Sequence, residues 1–123
     1  MAVTAYTLAV LLDLFCVFLG YRFLFRPGPA AAGYGVPADP GGDAGAYLSV
    51  KGLRDGTFGL LGLVLLAFAG ARAEAWFMLC VALVPLVDTL MVLRHGGTKA
   101  VAFGIHFATA VVVLISAGLL FAV

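Results

Sequence analysis

What this chain has least of is charge. Only 11% of its 123 residues are Asp, Glu, Lys or Arg, while 64% are hydrophobic. A water-soluble fold of this length needs a polar shell, and too few polar residues are present to build one. The net charge of +1 offers no basic surface to a phosphate backbone, so no nucleic-acid partner is expected. Cys16 and Cys80 both fall inside apolar runs and read as free thiols acting as small hydrophobes, not as a disulfide. No His/Cys/carboxylate cluster has ligand spacing, and His95 and His106 stand apart with one near a span end, so no metal is expected. Nucleotide loops and nucleophile elbows are missing, Ser49 and Ser116 have no motif around them, and a lone internal His does not suffice for haem. No cofactor is expected. The N-terminus lacks a basic leader and a small-residue cleavage site, so the first apolar run is expected to be retained.

What is there is four long apolar stretches, Val3–Phe25, Tyr47–Gly70, Glu74–Leu93 and Lys99–Val123. Each reaches the ~20 residues that cross a ~30 Å hydrocarbon core as a helix. Backbone in lipid must bond internally, and continuous Leu/Ala/Val-rich runs do so as helices rather than barrel strands. The expected fold is therefore all-α: one domain over 1–123, a four-transmembrane-helix bundle with helices at about 3–25, 44–70, 74–94 and 98–122. Such a chain belongs in the cell membrane as a multi-pass protein. Lys and Arg gather at one end of the bundle (Arg22, Arg26, Lys51, Arg54, Arg94, Lys99), and only Arg72 lies at the other. That bias makes the first end cytoplasmic and puts both termini on the opposite, non-cytoplasmic side.

Punctuation sets the boundaries. Pro27 stops the first helix at Arg26. A Gly/Pro-rich connection then fills 27–43, either as a loose loop or as a lid whose Tyr34 and Val36 fold back over the bundle mouth. Asp43 is a candidate N-cap for the second helix and Thr98 for the fourth. Pro85 removes a hydrogen bond to the Val81 carbonyl and predicts a kink in the third. Gly52/Gly56 and Ala100/Gly104/Ala108 form small-residue stripes, candidate contacts for a homodimer or within one protomer.

The ionisable residues inside these spans converge in depth. At ~1.5 Å per helical residue, Asp13 lies about 13 Å inside the basic end, Arg54 and Asp55 about 4–6 Å, Asp88 about 9 Å and His106 about 12 Å. The opposite half is expected to hold almost nothing ionisable. Buried charges in a bilayer cost several kcal/mol unless they pair or line a wet cavity. One reading is a structural network: Arg54 with Asp88 or Asp13, Lys51 with Asp55, and His106 on a carbonyl. The other is acid–base chemistry on a lipophilic small molecule drawn from the membrane lipid. In that reading Asp55 and Asp88 are the acid–base pair, Arg54 orients and balances them, and His106 assists. Lys51, Asp13, Tyr34 and Phe58 contact the substrate. Two competing functions stay open: a small proton-coupled multidrug-type transporter, with Asp13 as its helix-1 acid, and a non-catalytic membrane subunit.

The segments "RPGPAAAGYGVPADP", "AYLSVKGLRD", "LVPLVDTLMVLRHGG" and "AFGIHFATA" resemble a family of small four-helix membrane proteins of bacteria and fungi whose function is unknown. The resemblance covers roughly 20–120. It rests on Arg26-Pro27, Lys51, Arg54, Asp55, Asp88, Arg94-His95-Gly96-Gly97 and His106. Fungal relatives appear beside polyketide and terpenoid pathways, where small membrane proteins of similar shape are assigned epoxide hydrolysis or cyclisation. The resemblance thus implies the same fold and epoxide opening as the reaction. It does not extend to Asp13.

Overall fold

Hydropathy and chain length fix the first level of structure. In the computed structural model, which describes residues 1–123, all regular structure is helical. Four spans of 24, 26, 24 and 23 residues are each long and apolar enough to cross a membrane. Large side chains such as Phe18, Phe68, Trp76 and Ile115 point outward, as lipid-facing residues do.

Helix α1 (Ala2–Phe25) ends at Arg26, which leaves the helical conformation ahead of Pro27. The connection that follows is not a plain loop. Pro27, pre-shaped for the first helical position, opens a short helix α2 (Pro27–Tyr34). Gly35 closes it with φ 105, a left-handed conformation that a side chain would strain, and packs on Val92 and Val101. Helix α3 (Ala44–Val64) runs on through a π-helical turn, Leu65–Ala69, to Gly70 at φ 95. Asp43 occupies its N-cap position without making a side-chain cap bond.

The third span is two helices, α4 (Ala71–Val81) and α5 (Leu83–Arg94), interrupted at Ala82. Pro85 has no N–H for the Val81 carbonyl, and the break falls where that bond is missing. The span starts at Ala71, earlier than the sequence suggested, so Glu74 sits inside its first turn. The fourth span opens with α6 (Lys99–Val101), where the Thr98 hydroxyl accepts the Val101 N–H at 3.1 Å. It continues through a second π-helical turn, Ala102–Phe107, into α7 (Ala108–Phe121).

Without water to expel, membrane helices associate by close contact of small residues. Helix α1 lies tightly along α3: a β-carbon on Gly20 would come 2.6 Å from the Gly52 carbonyl oxygen. Gly59 and Gly62 admit α1 in the same way: a β-carbon on Gly59 would collide with the Asp13 backbone and Val17, and one on Gly62 with the Asp13 carboxyl. The Gly52/Gly56 stripe is thus used within one protomer, whereas Gly104 of the fourth span has nothing within 4 Å. A second seam joins α4 to α7 and the start of α1 around Ala5, Ala9, Ala75, Met78, Ala117 and Leu120. Here the bundle is closed. Toward the other end α5 packs on the π-helical turn of the fourth span, and α1 and α5 stay apart as opposite walls of a cavity.

Candidate functional site

That divergence leaves an internal space of about 390 Å³, a size that holds a small ligand. Apolar groups make most of its wall, including Leu12, Phe58, Phe77, Met78 and Val113. Phe15, Phe18 and Val84 line it yet remain 45%, 52% and 40% exposed, so its flank opens between α1 and α5 toward lipid. Helix α2 covers the mouth with Ala30, Gly33 and Tyr34.

Polar groups converge under that cover. The Tyr34 hydroxyl donates to Asp88 Oδ1 at 2.6 Å. Burial, and then this bond to a carboxylate, push the Tyr34 phenol above its ordinary value, so it stays a donor at neutral pH. The Tyr34 carbonyl, an orphan at the end of α2, accepts from His106 Nε2 at 2.7 Å. A carbonyl only accepts, so Nε2 carries the hydrogen and the neutral ring turns its Nδ1 lone pair toward Asp88. Nδ1 stands 3.9 Å from Asp88 Oδ2, too far for a direct bond and close enough for an ion pair once the ring is protonated. The Tyr34 and His106 rings lie 4.5 Å apart, which fixes both. His106 sits in the π-helical turn, a distortion that often marks functional positions.

Lys51 and Asp55 complete the group. They are four residues apart on α3 and pair at 3.0 Å, with side chains 29% and 13% exposed. The ammonium also lies over the Phe23 and Tyr34 rings, at 4.8 and 5.1 Å from their centres. Lys51, Asp55, Asp88, His106, Tyr34 and Phe58 therefore share one cavity wall system, contributed by α2, α3, α5 and the fourth span.

Arg54 is not among them. It is exposed, outside the cavity lining, and makes no ion pair, because the residue next to the inward-facing Asp55 is turned about 100° away. The expected bridge from Arg54 to Asp88 or Asp13 is replaced by Lys51 on Asp55 and Tyr34 on Asp88. Asp13 does line the cavity, at its closed end, and its carboxyl meets Glu74 of α4. Glu74 has no part in the sequence reading, and the expectation that the opposite half holds almost nothing ionisable fails there. The missed signal was periodic: Glu74, Met78 and Ala82 recur every four residues on the buried face of the third span. Cys16 and Cys80 are free, Cys80 on the outside.

Residues 14–120 match the family described as Domain of unknown function (DUF4267). The chain belongs to that family. No curated protein and no solved structure matches it. The matched stretch contains every member of the polar group under α2 and leaves Asp13 just outside.

Proposed function

We propose that this protein is an integral-membrane enzyme that opens a lipophilic epoxide, by hydrolysis or by cyclisation onto a substrate hydroxyl. One observation carries the reading: Tyr34, Asp88, His106 and the Lys51–Asp55 pair face a common apolar cavity with an open, lipid-facing flank. A purely structural network has no need of that space.

The substrate body lies among Phe58, Phe77 and the other apolar walls. His106 Nδ1 takes the proton of the attacking water or hydroxyl, and Asp88 stabilises the resulting imidazolium. The nucleophile oxygen bonds to one epoxide carbon as the C–O bond there breaks. The released alkoxide takes a proton from the Lys51 ammonium, which Asp55 has held in place, and the proton on His106 returns to Lys51 through the site. Tyr34 anchors Asp88 and carries the lid, so its hydroxyl ties cover to chemistry. Arg54 stands outside this scheme.

Purified protein offered hydrophobic terminal and internal epoxides is expected to yield diols or cyclic ethers by mass spectrometry. Unchanged turnover in both Asp88→Asn and His106→Gln would remove the acid–base scheme.

A further inference from the structure

The acids at the closed end of the cavity play no part in this chemistry. Asp13 is 4% exposed and Glu74 0%. Their side chains meet within hydrogen-bonding range. Yet no donor of the protein reaches Asp13 Oδ2 or either Glu74 oxygen. Ionised carboxylates only accept, so two of them in contact, in lipid and without a cation, require a hydrogen between them.

The surroundings supply no alternative. On α3 the facing residues are Gly59 and Gly62, where any side chain would collide with the Asp13 backbone or carboxyl. The charges nearest this stretch of α1 are Lys51 and Asp55, which pair with each other, and the thiol of Cys16 lies one turn away. On the α7 side Ser116 is fully buried, its hydroxyl also without a partner. No third His, Cys, Asp or Glu joins the pair, and a metal ion would gather more ligands than two carboxyls.

We propose that Asp13 and Glu74 form a proton-binding site, a single proton held between α1 and α4 and exchangeable with the cavity through Asp13. Gly62 is the space that lets the Asp13 carboxyl reach across. Glu74, which does not line the cavity, is the positioning partner, and Asp13 is the group an occupant of the deep end would touch.

Infrared spectra of the protein in lipid nanodiscs at neutral pH test this without any substrate, so the result stands apart from the reaction proposed above. The wild type is expected to show the C=O stretch of a protonated carboxylic acid that shifts in heavy water. Asp13→Asn and Glu74→Gln each supply an N–H donor in place of the proton, so each should keep the fold and lose the band. Difference spectra against both variants that contain only ionised-carboxylate bands would overturn the proposal. So would a sodium-dependent rise in thermal stability absent from the Asp13→Asn/Glu74→Gln double variant, since the pair would then be a metal site.

Discussion

The two ends of the cavity hold buried acids in opposite ways. Under α2, Asp55 has Lys51 and Asp88 has Tyr34, with His106 alongside. At the closed end, Asp13 and Glu74 have only each other. The difference follows from packing. At the mouth, helices diverge and a lid brings in polar groups, so acids find donors and stay accessible. At the closed end, glycine and alanine seams draw the helices together, and no long cationic side chain fits. A burial cost that charge pairing offsets at the mouth is left, at the closed end, to the proton proposed between the two acids.

That contrast breaks most sharply at the mouth. Asp88→Asn or His106→Gln is expected to lower epoxide turnover by at least about 100-fold, the range of a lost acid–base group, with helical content unchanged in circular dichroism. A similar loss in the exposed Arg54→Gln would contradict the placement of the site.

At the closed end the effect should be on stability. Gly62→Ala puts a methyl where the Asp13 carboxyl sits and is expected to cost about 1–3 kcal/mol by overpacking, read as a lower Tm in nanodiscs. Gly104→Ala, with open space around it, serves as the neutral control.

Smaller changes sharpen the comparison. Tyr34→Phe removes a bond to a carboxylate and leaves the end of α2 held by the His106 bond to its backbone carbonyl, costing about 1–2 kcal/mol and raising protease cleavage in 27–43. Asp55→Asn leaves a part-exposed ammonium without its partner and should cost about 1 kcal/mol, less than a fully buried pair would. The pH effect is the gentlest. Because the Tyr34 phenol is raised, the lid contact is intact below the ordinary phenol value of about 10 and is lost only as pH climbs through the raised one. Phenolate absorbance, compared between wild type and Tyr34→Phe, should show one late-titrating tyrosine.

Local geometry explains which parts of the site were legible beforehand. Lys51 and Asp55 share a helix face by spacing alone, and Thr98 and Pro85 act on their immediate neighbours. Tyr34 reaches Asp88 across 54 residues and His106 across 72, and no periodicity encodes such distances. The rotation of α3 about its axis, which turns Asp55 in and Arg54 out, depends on which face the glycines give to α1. Glu74 was hidden because its partner lies two spans away in the chain.

Four helical spans were determined by the sequence itself, since hydropathy acts residue by residue. Which acids acquired a donor, which met another acid, and where space was left between them was decided by tertiary structure. Those outcomes depend on helix rotation and on the docking of α2, and both are set by contacts between residues far apart in the chain.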